Sequence, residues 1–199
     1  MKLLIASNNA HKTREIREIL GSCFEEILSM RDAGIEADVV EDGETFADNA
    51  RKKAEEILAL SGYEAVLADD SGLCVDALGG APGVYSARFA GEGHDDAANN
   101  IKLMEVLRDV PAEKRTARFT SCICLARKGR PSLLAQGFAE GLIAFAPSGD
   151  NGFGYDPYFF YPPLGKTFAE LSSEEKNRVS HRRAALDKMR MLLEAEQNA

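Results

Sequence analysis

Residues 64–91, EAVLADDSGLCVDALGGAPGVYSARFAG, constrain the fold more than any other stretch. The apolar run Ala65-Val66-Leu67-Ala68 follows the turn residues Ser61 and Gly62 and reads as a buried strand. It ends on two adjacent carboxylates, Asp69 and Asp70. Ser71 and Gly72 are expected to turn the chain, and Leu73-Cys74-Val75 to return as a strand. Gly79, Gly80, Pro82 and Gly83 then make a shaped loop. Carboxylates where a buried strand meets a loop are costly unless something pairs with them. A magnesium ion does so well, since it takes one or two carboxylates plus phosphates. A solvated Asp-Asp-Ser-Gly hairpin turn explains the same four residues, and on those alone it is the better explanation.

Other parts of the chain shift that balance. Residues 2–6 form an apolar strand, followed by Ser7-Asn8-Asn9-Ala10-His11-Lys12 and a helix whose buried face is Ile16, Ile19, Leu20 and Cys23. Arg14, Glu15, Arg17 and Glu18 are expected to face water. Backbone N–H groups where a strand feeds a helix favour anions, and Lys12 adds a positive charge. Helix capping by Ser7, Asn8 or Asn9 is the plainer explanation of the same residues. A second strand with its connection is expected over 27–40, and a helix from a Thr45 cap to about Leu60, stopped by Gly62. Its buried face is Phe46, Ala50, Ala54, Ile57 and Leu58. Glu41, just ahead of that helix, is either a solvated loop acid or a carboxylate brought to the same metal as Asp70.

Residues 95–108 read as a helix with Ile101, Met104 and Leu107 in the core. Thr116–Leu125 and Ser132–Gly141 read as paired strands around Lys128-Gly129-Arg130-Pro131. Asn151-Gly152-Phe153-Gly154-Tyr155-Asp156-Pro157 sets two aromatics among glycines ahead of the strand Tyr158–Tyr161. Phe153 or Tyr155 could stack on a base and Asp156 could accept a hydrogen bond from base or sugar, or the aromatics could plug the core. Ser172 with Glu175 is a capping box opening a C-terminal helix. Lys176, His181 and Arg182 do not share one side of a continuous helix. For all three to meet one ligand, the helix must break between about Asn177 and Ser180, with Ser180 capping the second piece. A solvated basic face is the ordinary alternative.

The chain has 199 residues and a formal net charge of −8, enough to bury a sizeable core and unfavourable for a nucleic-acid polymer as partner. No apolar run approaches membrane-spanning length and no signal peptide is evident, so a cytoplasmic location is expected, with no membrane partner. The four cysteines, Cys23, Cys74, Cys122 and Cys124, form no CxxC pair and read as reduced thiols.

Taken together, the motifs resemble one family. SNNAHK (7–12), EDGETFADNARKKA (41–54), LADDSGLCVDALGGAPGVYSARFAG (67–91), NGFGYDP (151–157) and FAELSSEEKNRVSHRRAAL (168–186) match, in order, the inosine-triphosphatase-like pyrophosphatases of noncanonical purine nucleoside triphosphates, including bacterial dITP/XTP enzymes. Asn151 replaces a frequent glycine, and SNN stands where many members carry TGN or TNN. The resemblance implies an α/β fold: an elongated mixed sheet flanked by helices, with two lobes around a substrate cleft, formed by a single domain over 1–199. It implies hydrolysis of dITP, ITP and XTP at the α–β phosphoanhydride to monophosphate and pyrophosphate, with Mg2+, as a homodimer. By matched position, Ser7, Asn8, Asn9, Ala10, His11 and Lys12 hold the triphosphate. Asp70 is proton acceptor and metal-site residue, Glu41 a metal ligand, and Ser71 a substrate contact. Phe153, Gly154, Tyr155, Asp156, Lys176, His181 and Arg182 contact the nucleotide, largely at the base. A buried donor such as Arg182 or Lys176 would pair with the 6-keto oxygen of hypoxanthine or xanthine and be left unpaired by adenine. A pyrophosphatase for modified pyrimidine triphosphates and a nucleotide-binding regulator without turnover are the competing readings. The joint presence of Glu41, Asp69 and Asp70 favours catalysis.

Overall fold

A computed structural model describes residues 1–197, apart from the side chains of His11 and Gln197. The strands are β1 (Lys2–Ile5), β2 (Glu26–Ser29), β3 (Ala65–Val75), β4 (Thr116–Arg127), β5 (Arg130–Ile143), β6 (Phe159–Tyr161) and β7 (Lys166–Thr167). The α-helices are α1 (Ala10–Leu20), α2 (Phe46–Ser61), α3 (Asp96–Val106), α4 (Ser173–Val179) and α5 (His181–Gln197). The strands form one mixed seven-stranded sheet in the order β2-β1-β3-β4-β5-β6-β7. β1 pairs in parallel with β2 and β3, as crossovers through helices require. β6 pairs antiparallel with β5 and β7.

Two compact units emerge from the contacts within the chain. The first holds Met1–Asp70, Ser121–Gly137 and the chain from Arg182 onward; the second holds Ser71–Thr120 and Phe138–His181. Each has its own core. In the first, Leu3 and Ile5 of β1, Leu67 of β3 and Ile123 of β4 pack with Ile16 and Leu20 of α1 and with Leu186 and Met189 of α5. In the second, Leu73, Val75, Leu103, Leu107, Phe119, Phe159 and Phe168 cluster. Phe168 stacks on Phe119 at 5.8 Å and meets Phe159 at a tilt, 4.7 Å between centroids.

The central stretch departs from its expected form. No turn interrupts Asp69-Asp70-Ser71-Gly72: β3 runs unbroken from Ala65 to Val75. Gly72 is needed there for close approach, since a Cβ would lie 2.4 Å from Ser86 Oγ and 2.6 Å from the Gly83 carbonyl. Ser86 Oγ accepts the Leu73 N–H at 2.8 Å and donates to the Gly83 carbonyl at 2.6 Å. The glycine-rich loop after β3 is thereby stitched to the strand that precedes it.

The helices follow local chemistry more closely. Thr45 caps α2 by accepting the Asp48 N–H at 3.1 Å, and Gly62 ends it in the left-handed region at φ 73°. The Ser172/Glu175 capping box opens α4. α4 stops at Val179, Ser180 is extended at ψ 151°, and α5 restarts at His181, so the expected break is present. Two face assignments change. Ile101 is 69% exposed, and the buried residues of that segment are Asn99, Leu103 and Leu107. Glu15, expected in water, is only 7% exposed. Cys122 and Cys124 are free and buried, and burial pushes their thiols up to about 11 and about 12.

Candidate active site

The first unit gathers its charges around the carboxylates of β3. Asp69 Oδ2 accepts from Lys12 Nζ at 2.8 Å and from Arg182 Nε at 3.1 Å, while Oδ1 accepts from Ser121 Oγ at 2.6 Å. Arg182 passes its Nη1 to Glu15 Oε2 at 2.8 Å. Two carboxylates and two cations thus make a neutral buried chain running Lys12, Asp69, Arg182, Glu15. Burial alone would raise the Asp69 carboxyl, but the adjacent Lys12 and Arg182 charges hold it well below the usual carboxylate range. With both oxygens bonded and its carboxyl held low, Asp69 is the poorer proton acceptor of the two.

Its neighbour Asp70 is in the opposite condition. Burial pushes its carboxyl up, reinforced by the Asp69 charge and opposed by a hydrogen bond from Asn49 and by the Lys12 and Lys53 charges. Asn49 Nδ2 donates to Asp70 Oδ2 at 3.0 Å. A buried carboxylate raised toward neutrality suits a proton acceptor, and the contrast with Asp69 separates the roles of two adjacent residues.

Lys53, on α2 one turn beyond Asn49, forms an ion pair with Glu41. Burial and the nearby Lys12 push its ammonium down, against the attraction of Asp70, Asp69 and Asp38. Among the described residues no three His, Cys, Asp or Glu side chains group closely enough to hold a metal by themselves. The Asp70 and Glu41 oxygens nevertheless already attract one cation, the Lys53 ammonium, and are the hard donors that magnesium takes when phosphates complete its shell.

At the start of α1, Ser7 Oγ accepts the Asn9 N–H at 3.1 Å, and Asn9 Oδ1 accepts the Lys12 N–H at 3.2 Å. Asn9 therefore caps the helix that presents Lys12. Asn8 and Ala10 are exposed beside it, and the His11 side chain lies outside the described residues. Ser71 follows Asp70 in β3 and is half-buried.

The second unit holds a different group of charges. Lys176 Nζ donates to Asp156 Oδ2 at 2.5 Å and lies 4.8 Å from the Phe153 ring centroid, a cation–π arrangement. Asp156 Oδ2 also accepts the Phe153 N–H at 2.9 Å. Gly152 has φ 79°, and a Cβ there would sit 2.0 Å from that same carboxylate, so the loop closes only around glycine. Asp96 Oδ2 accepts the Gly154 N–H at 2.8 Å, and Asn100 Nδ2 donates to the Gly154 carbonyl at 2.8 Å, so α3 grips both sides of one residue. Asn151 Nδ2 donates to the Leu171 carbonyl at 3.2 Å, which anchors the loop where a glycine could not. Tyr155 is buried and its hydroxyl donates to the Ser86 carbonyl at 2.8 Å, while Phe153 stays partly exposed. Of the two aromatics, then, Tyr155 belongs to the core and Phe153 keeps part of its surface exposed. His181 lies buried and stacks on Phe119 at 4.9 Å.

Anticipated among contacts to the base, Arg182 gives Nε and Nη1 to Asp69 and Glu15, on the same network as Lys12. Sequence reasoning also passed over Asn49, Lys53 and Glu15. The signal for the first two was their i, i+4 spacing on the α2 face that buries Ala50, Ala54 and Ile57, where polar residues need partners. Glu15 carried no such signal.

The sequence model of the Ham1 family matches residues 3–192. A dITP/XTP pyrophosphatase of Clostridium perfringens is 52% identical over 95% of this chain and 95% of its own length. Another, of Desulforamulus reducens, is 50% identical over 97% of this chain and 96% of its own. The Ham1 protein of Staphylococcus aureus superposes with a TM-score of 0.89 at 39% identity, covering 98% of this chain and 100% of that one. A structure from Mycobacterium abscessus, described as a nucleoside-triphosphatase / dITP/XTP pyrophosphatase, gives 0.79 at 44% identity, covering 95% of this chain and 98% of that one.

Proposed function

This chain belongs to the Ham1 family, and from that premise we propose that it hydrolyses dITP, ITP and XTP at the α–β phosphoanhydride, releasing monophosphate and pyrophosphate. The observation that carries the reading is the Asp69–Asp70 pair: one carboxylate locked among cations, the other held by one amide and raised by burial. That is a base beside a cationic cradle, which phosphoanhydride hydrolysis requires.

Water attacks the α-phosphorus, its O–H proton passes to an Asp70 oxygen, and the bond to the bridging oxygen breaks to free pyrophosphate. Lys12 and the start of α1 meet the negative charge that builds on the leaving group. Ser7, Asn8, Asn9 and Ala10 line that same start of α1. Ser71 adds a hydroxyl next to Asp70 in the strand. Asp70 and Glu41 would hold magnesium, which supplies charge neutralisation and a more acidic water when bound.

The base falls to the second unit. Phe153 offers a ring face, and Lys176, with one of its three hydrogens on Asp156, offers donors to a 6-keto oxygen. Adenine presents a 6-amino donor there and leaves the ammonium opposed, a mismatch that a polar site rejects by roughly 10⁴-fold in favourable cases. Arg182, which the resemblance assigns to the base together with His181, is also bonded to Asp69. Cleansing the nucleotide pool, a homodimeric state and a cytoplasmic location complete the reading. Among the described residues no helix is long and apolar enough to cross a membrane.

Incubating the purified protein with magnesium and dITP, XTP, dATP or dGTP tests the whole reading. Pyrophosphate and monophosphate from dITP and XTP, with little from dATP and dGTP, are expected. Inorganic phosphate as first product would move cleavage to the γ position and remove Asp70 from its role. Tight dITP binding without turnover would make the protein a sensor.

A further inference from the structure

Among the described residues, Asp70 takes its one hydrogen bond from Asn49, and Asn49 does more than satisfy it. Its Nδ2 donates to Asp70 Oδ2 at 3.0 Å while its Oδ1 accepts the Gly43 N–H at 2.7 Å. The side chain is 1% exposed, on a helix capped at Thr45. Its amide can sit only one way round: reversed, oxygen would face a carboxylate and the NH2 would face an N–H. One amide, bonded at both ends, therefore joins the reacting carboxylate to the segment that carries Glu41. A carboxylate without such an anchor turns broadly about its last torsion.

We propose that Asn49 is a positioning residue for the hydrolysis. It binds Oδ2 of Asp70, which leaves Oδ1 as the oxygen offered to the attacking water. With its other end it ties the 41–44 segment to α2, so that Glu41 and Asp70 are placed by the same side chain. This rests on the assignment of Asp70 as proton acceptor. It gives α2 a part in the chemistry that neither the motif nor the charge pattern assigns to it.

Two variants test the proposal through steady-state kinetics on dITP, with folding followed by circular dichroism. Asn49→Leu removes both hydrogen bonds at similar volume. Asn49→Asp keeps an acceptor for the Gly43 N–H but sets a second carboxylate against Asp70. A positioning role predicts that kcat falls about 10- to 100-fold in both, since small misplacements of a reacting group cost that much, with KM changed less than about threefold. A merely structural role would not separate the two constants. Wild-type kcat in either folded variant would overturn the proposal, as would a raised KM at unchanged kcat. If Asn49→Leu does not fold, Asn49→Asp decides by the same criteria. A wild-type protein that does not turn over dITP defeats the assignment of Asp70 itself, and that failure is recognised before any variant is measured.

Discussion

Each unit fixes a lysine through a buried aspartate, and the two do it by different means. Lys12 is fixed by side chains on regular elements: Asp69 on β3, backed by Ser121 on β4, Arg182 on α5 and Glu15 on α1. Lys176 is fixed by a loop, whose Asp156 is itself held by the Phe153 N–H and whose Gly154 is gripped by Asp96 and Asn100. The first arrangement is a chain of compensating charges, in which removing one member takes a counter-charge from its neighbour. The second is a loop whose backbone is held by the side chains of Asp156, Asp96 and Asn100, distinct from the charge chain of the first. Rate and fold should therefore depend on the first, selectivity on the second.

The largest expected effect is on rate. Asp70→Asn should lower kcat for dITP by about 10²–10⁴-fold, the usual worth of a positioned general base, with little change in KM. A comparable loss of kcat in Phe153→Ala would erase the distinction between the units. Next comes stability. Asp69→Asn removes the carboxylate that Lys12 and Arg182 share, and breaking a buried pair typically costs about 3–5 kcal/mol, read as a lower urea midpoint. Adding Arg182→Met should recover part of that loss, and strict additivity of the two would deny that they form one network.

Effects in the second unit should be smaller and of another kind. Phe153→Ala should raise KM for dITP by the value of one stacked base, about 1–3 kcal/mol, at nearly constant kcat. Lys176→Met should narrow the preference for dITP over dATP, and an unchanged ratio would send the search for the discriminating donor elsewhere. The smallest effect, and the sharpest contrast, is in pH. Because burial raises Asp70, its carboxyl in the metal-free protein should titrate above the ordinary aspartate value of about 3.9, read by NMR without magnesium. Asp69 is shifted the other way, so its sign reverses. Its depressed carboxyl contributes stability fully present above about pH 3.9 and lost as pH falls through its folded-state value. Acid unfolding should carry this term in the wild type and lose it in Asp69→Asn.

What could be read in advance divides along the same line. Caps, stops and the break at Ser180 are local events, written within a few residues of where they act. The Thr45 cap, the Gly62 stop and the α4–α5 restart all follow. Asp69 to Gly72 looked like a turn because each residue favours one locally. They are extended because Asp69 finds its partners 57, 52 and 113 residues away in Lys12, Ser121 and Arg182. Glu15 was assigned to water for the same reason, since its partner Arg182 lies 167 residues further on. Periodicity also misplaced Ile101, where Leu103 joins the expected Leu107 on the buried side. Residue types at the site were legible, whereas their distribution between the two networks depended on distant pairings.

The grip on Gly154 has a bearing on engineering. Because Asp96 and Asn100 hold both the N–H and the carbonyl of that residue, the 151–157 loop is not a separable cassette. Transplanting it from a relative with a different base preference would import a sequence without its mould. A productive graft would move positions 96, 100 and 176 together with the loop, three substitutions remote in sequence from the segment they shape.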